Sequence, residues 1–116
     1  HIPVVTVEEN TLEAVNQAVI ELVTELKKRN KYREEDISHV IFTMTSDLDC
    51  VYPAKIVRET FEGWKYVPMV CMQELKIKNS LEKCLRILIV LNTEKVQSEI
   101  KHVYLKGAAK LREDLK

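Results

Sequence analysis

The sequence predicts an α+β domain, a mixed β-sheet with helices packed on it, and two observations carry that expectation. Short segments of β-branched and aliphatic residues alternate with segments whose apolar residues recur at helical spacing. Past the middle of the chain, strand-like segments follow one another with no long helix between them. Several strand-like segments also lack a polar face, as strands shielded on both sides do. The sheet is therefore expected to be covered on both faces, partly by another copy of the chain. The 116 residues suffice for one domain, residues 1–116, with a substantial core.

The elements follow from local patterns. Residues 2–7 are β-branched, with Pro3 near the start, and predict a strand at an edge or entry position. Asn10-Thr11-Leu12-Glu13 predicts a capping box with Asn10 as N-cap. Leu12, Val15, Val19, Leu22, Val23 and Leu26 then mark the apolar stripe of a long helix, and Lys27-Lys28-Arg29 suits its negative end. Residues 31–36 are a polar connection, residues 40–45 a second strand, and Ser46-Asp47-Leu48-Asp49 a break. Pro53 opens a second helix, which runs to about Phe61 and stops at Gly63. Residues 64–67 and 69–73 flank Pro68 and predict extended chain, and Lys78-Asn79-Ser80 a turn. Residues 84–91 predict a long strand, 94–100 a short polar helix, and 103–105 a last strand. Gly107 then precedes a brief helix over 108–111.

Composition excludes several classes of function. The formal net charge is zero and no basic stripe is interleaved with aromatics, which argues against nucleic acid as a partner. The uncharged runs are too short to span a bilayer, so no membrane partner is expected. The chain begins at His1, with an apolar hexapeptide and no basic segment ahead of it, so no signal peptide is expected. Cys50, Cys71 and Cys84 are odd in number and widely spaced, and neither they nor the isolated histidines have metal-ligand spacing. Reduced thiols in a cytoplasmic protein are the expectation, with no metal.

Within the run Cys84-Leu85-Arg86-Ile87-Leu88-Ile89-Val90-Leu91 one residue is out of place. Alternation puts Cys84, Arg86, Leu88 and Val90 on one side of the strand. The Arg86 guanidinium cannot lose its charge, and burying it unpaired costs several kcal/mol. It needs an anion, either a carboxylate of the chain or a ligand. Glu74, behind Cys71 in Cys71-Met72-Gln73-Glu74, is one possible partner. Lys55, with Arg58 one turn on, makes a basic helix start behind Tyr52, or simply a solvated face. Tyr104 is a phenol in the last strand, or a core residue with its hydroxyl at an edge. No nucleophile with an evident base, phosphate loop or dinucleotide fingerprint is present. These tools suit binding a small dianion and stabilising charge rather than covalent catalysis.

Taken together, Val51-Tyr52-Pro53-Ala54-Lys55, Val57-Arg58-Glu59, Gly63-Trp64-Lys65-Tyr66-Val67-Pro68, Cys71-Met72-Gln73-Glu74, Lys83-Cys84-Leu85-Arg86 and His102-Val103-Tyr104-Leu105 through Leu111-Arg112 resemble the AroH-type chorismate mutases. The resemblance runs in order over nearly the whole chain. It implies a homotrimer with a pseudo-α/β-barrel core and active sites between neighbouring subunits. The implied reaction is the rearrangement of chorismate to prephenate, on the route to phenylalanine and tyrosine, with no cofactor. It further implies that Arg86 reaches the ether oxygen and a carboxylate, that Tyr104 contacts a carboxylate, and that Cys71 and Glu74 meet the ring hydroxyl. From the neighbouring subunit, Tyr52 packs on the substrate and Ala54, Lys55 and Arg58 line the rim. Val70 stands before the cysteine, where the family usually has threonine, and Leu111 and Arg112 close over the mouth.

A second departure concerns the first strand. The family carries an arginine there that clamps a substrate carboxylate; Ile2 aligns with it, and no arginine precedes Arg29. Either part of the N-terminus is missing, or the first strand is altered, or the chain is a weak or inactive relative; if the sequence is complete, much reduced turnover through poorer dianion binding is expected. The alternative is a non-catalytic trimeric relative that binds a small dicarboxylate metabolite.

Overall fold

β1 (Val4–Thr6), α1 (Leu12–Asn30), β2 (Ile37–Met44), α2 (Pro53–Thr60), β3 (Met69–Gln73), β4 (Cys84–Leu91) and β5 (Tyr104–Leu105) follow one another in a computed structural model that describes residues 3–110. Ile2, Leu111 and Arg112 lie outside the described residues. The strands form one sheet in the order β3-β2-β4-β1-β5. β2 and β3 are parallel, as are β1 and β5, and β4 runs antiparallel to both of its neighbours. The predicted α+β class is the observed one. α2 is the crossover that joins parallel β2 and β3.

The end of α1 is built differently from the sequence expectation. Thr11, not Asn10, is the N-cap, and its Oγ1 accepts a hydrogen bond from the Ala14 N–H at 3.2 Å. Asn10 is drawn away by Asp49: its side-chain amide donates to Asp49 Oδ1 at 2.6 Å, and its Oδ1 accepts from the Asp49 N–H at 3.2 Å. Both residue types can cap a helix, so the one with a distant partner left the role to its neighbour. At the other end Lys31 takes the left-handed conformation, with φ 50°, and its N–H closes on Lys27 O at 2.8 Å.

Both helices pack on the same face of the sheet. Val15, Val19, Leu22 and Leu26 of α1 and Ile56 and Val57 of α2 join Val5, Val40, Phe42, Leu85 and Ile87 in one buried cluster. The chain covers the opposite face only in part. Val4 and Cys84 are buried there with Ala108, and Leu81 and Tyr104 pack against them. Val70, Met72 and Leu88 on the same face are 44%, 51% and 38% exposed. Within one chain the sheet is thus covered fully on the helix side and partly on the other.

Two other segments differ from the sequence reading. Residues 64–67 are not a strand: Glu62–Trp64 is a 3-10 turn that carries the Trp64 ring into the core. Residues 94–100 form no α-helix, only the 3-10 turn Gln97–Glu99. Beyond β5 the chain closes on β1. The Gly107 N–H donates to Thr6 Oγ1 at 2.8 Å, and a Cβ on Gly107 would stand 2.8 Å from that same oxygen, so the contact requires glycine.

Candidate active site

Arg86 is the third residue of β4, the central strand. Its cross-strand partners are Thr43 on β2 and Val4 on β1; Thr43 in turn pairs with Met72 on β3, and Val4 with Tyr104 on β5. Residues opposite one another in a sheet share a face. Met72, Thr43, Arg86, Val4 and Tyr104 therefore form one row on the side opposite the helices, exposed at Met72 and buried at Val4.

The anion that Arg86 needs within the chain is Glu74. Arg86 Nε lies 2.7 Å from Glu74 Oε1, with the side chains 31% and 16% exposed. Glu74 follows the end of β3, where its N–H donates to Met44 O at 2.8 Å. The Thr43 hydroxyl donates to the same carboxylate oxygen that Arg86 reaches. The guanidinium is neither loose in water nor sealed away. The contact is an ion pair, and because both side chains are partly buried its charges are less screened than those of an exposed surface pair.

Glu74 and Thr45 also stand in the wall of an open cleft of about 710 Å³, whose remaining lining is Ser46, Asp47 and the loop of residues 75–82. The floor is tied together by backbone and side chain. The Thr45 N–H donates to Cys84 O at 3.0 Å, the Cys84 N–H donates to Thr45 Oγ1 at 2.9 Å, and the Lys83 N–H donates to Asp47 Oδ2 at 2.9 Å. Partial desolvation works against the Asp47 carboxylate, but hydrogen bonds from the Thr45 hydroxyl and the Lys83 N–H hold its pKa below the ordinary value. Burial pushes the Cys84 thiol up to about 11, partly offset by the Arg86 charge, while Glu74 and Asp47 push it further up. At neutral pH Cys84 is an inert thiol.

The other predicted residues fall into two groups. Tyr104 lies in the Arg86 row, and Val70 is exposed on the same face. Cys71 is brought elsewhere. It pairs with Phe42 and packs against the helix-covered core, so its side chain lies on the face opposite Arg86. Tyr52, Lys55 and Arg58 are exposed at and along α2, in the helical layer, and Ala54 is half-buried against the core. Within one chain, then, the structure brings Arg86, Glu74 and Tyr104 to one side of the sheet and Cys71 to the helix-covered side, where α2 packs. Leu111 and Arg112 fall outside the described residues. Thr43 was not anticipated, because a threonine in a strand is ordinary and only the β2–β4 register reveals what it faces.

Among the described residues no group of three or more His, Cys, Asp and Glu side chains is placed to hold a metal ion. The arrangement can bind carboxylates, polarise an oxygen that gains negative charge, and accept a hydrogen bond from a hydroxyl.

Comparison with known proteins agrees with that chemistry. The family described as chorismate mutase type I matches residues 4–115. The chain is 40% identical over 110 residues to chorismate mutase AroH of Bacillus subtilis (strain 168), covering 95% of this chain and 86% of the relative. It is 38% identical over 112 residues to chorismate mutase AroH of Thermus thermophilus, covering 96% and 90%. Among solved structures, a chorismate mutase from Clostridium thermocellum superposes with a TM-score of 0.85 at 40% identity, over 91% of this chain and 93% of that one.

Proposed function

Because the chain belongs to the type I chorismate mutase family, we propose that it converts chorismate to prephenate with Arg86 as the principal catalytic group. It is an isomerase; the non-catalytic alternative draws no support from the comparisons. The reaction breaks the ether C–O bond of the substrate and forms a C–C bond within the same molecule. Nothing is oxidised or reduced and no group leaves, so the stoichiometry requires no cofactor.

The observation that carries the reading is the fixed, partly exposed guanidinium on β4. Negative charge grows on the ether oxygen as the C–O bond breaks. A cation already in place there binds the transition state more tightly than the ground state. Glu74 holds Arg86 in position and offers a second oxygen to the ring hydroxyl, and Tyr104 contacts a carboxylate. The site also selects the compact conformer of a flexible substrate.

The second half-site comes from a neighbouring copy. Val70, Met72 and Leu88 form an exposed apolar patch on the sheet face that carries Arg86, which supports a homotrimer closed through that patch. In such an assembly Tyr52, Ala54, Lys55 and Arg58 of one protomer complete the site around Arg86 of the next. Cys71 belongs with them, and Leu111 and Arg112 close the mouth. β1 itself, Val4-Val5-Thr6, brings no guanidinium to the site. Three free thiols fit a reducing compartment, the cytoplasm. No described helix is long and apolar enough to cross a membrane.

The test is a direct absorbance assay of chorismate consumption. The parent chain should turn over, and Arg86→Ala should lose roughly a hundred- to a thousandfold in kcat. An Arg86→Ala variant as fast as the parent would remove the reading.

A further inference from the structure

We infer that Thr43 is a positioning residue for the rearrangement, keeping Glu74 on Arg86 through one oxygen so that the second stays free for substrate. The inference rests on the roles proposed above for Arg86 and Glu74.

The geometry comes from β2. Thr43 is the cross-strand neighbour of Arg86, and its hydroxyl donates to Glu74 Oε1, the oxygen 2.7 Å from Arg86 Nε. The next residue of the same strand, Met44, accepts the Glu74 N–H at 2.8 Å. One strand thus holds the glutamate by both backbone and side chain. The Thr43 hydroxyl and the Arg86 charge both meet the carboxylate at Oε1, so Oε1 rather than Oε2 is the oxygen held.

The competing arrangement is the parallel fork, in which both carboxylate oxygens meet two N–H groups of one guanidinium. It is the stronger pairing for an isolated arginine and carboxylate. It would also be unproductive here. It would turn Oε2 away from the ring hydroxyl and take up a terminal N–H that the ether oxygen needs. The Thr43 hydroxyl opposes it by satisfying Oε1 from the strand side. A positional error of this size at a reacting centre costs far more rate than affinity, because the dianion still meets the same charges.

The test compares the parent chain with Thr43→Val, which keeps the β-branched shape and removes the donor, and with Thr43→Ser, which keeps the donor. Thr43→Val should lower kcat about ten- to a hundredfold with KM changed less than about threefold, and Thr43→Ser should recover most of the rate. Thr43→Ala carries the same expectation as Thr43→Val should the valine variant fold poorly. A crystal structure of the donor-less variant should show Glu74 forked on Arg86. Parent-like kcat in Thr43→Val, a Thr43→Ser no better than Thr43→Val, or a Glu74 that has not moved overturns the inference. An inactive parent chain overturns the functional reading beneath it instead, and the two failures are told apart by that one measurement.

Discussion

Cys84 and Arg86 lie two residues apart on the same face of β4, and their surroundings treat them in opposite ways. Arg86 keeps contact with solvent and a counter-ion; Cys84 is buried, and its pKa rises to about 11, chiefly by desolvation. Because the neutral thiol is favoured in the fold, this group stabilises the protein fully below its ordinary value of 9.0, and that contribution is lost as pH rises toward 11. At pH 8 an alkylating reagent should therefore label exposed Cys50 readily and leave Cys84 unmodified until denaturant is added. Mass mapping of the labelled peptides checks this; native Cys84 reacting as fast as Cys50 would contradict it. Arg86 itself was legible because a permanent charge in an aliphatic run conflicts with every bland reading of the strand. Thr43 was not, because its residue type agrees with its strand and conflicts with nothing.

Elements show the same divide between what neighbours in sequence decide and what distant contacts decide. The bounds of β4 follow from its unbroken apolar run and match the expectation. Alternation also separates Arg86 from Leu85 and Ile87 correctly. It does not carry from one strand to the next, which is why Cys71 could be grouped with Arg86 on sequence grounds although the β2–β3 register turns its side chain to the other face. The α1 cap moved by one residue for a similar reason, a partner 39 positions away. Asn30 is a further case. At a helix end an asparagine suggests a left-handed C-cap, yet Lys31 takes that conformation. Asn30 is buried instead, donating to Lys101 O at 2.8 Å and accepting from the Lys101 N–H at 2.8 Å. Replacing it with alanine strips both backbone groups of their partner and should cost about 1–3 kcal/mol. Urea unfolding should register that loss as a lower midpoint, and a shift within about 0.5 kcal/mol would show that water replaces the side chain at no cost.

At the scale of the whole molecule, the two helices on one face and the exposed apolar side chains Val70, Met72 and Leu88 on the other bear on both stability and activity. A charge on that exposed patch should be tolerated by a lone protomer and not by an assembly closed through it. Leu88→Lys, at a site 38% exposed in the chain, should retain its circular dichroism, sediment as a smaller species than the parent, and lose turnover with the assembly. A variant that stays assembled and active would place the interface elsewhere. The strand order has its own consequence. Among the described residues β1 pairs within the sheet with β4 and β5, and β4 joins it to β2. On the ribosome the first strand must therefore wait, unpaired, until residues beyond 84 have left the exit tunnel. Until then β2, α2 and β3 can gather locally, but β1 stays apart from them, and the guanidinium on which the chemistry depends arrives with the very strand that joins the two.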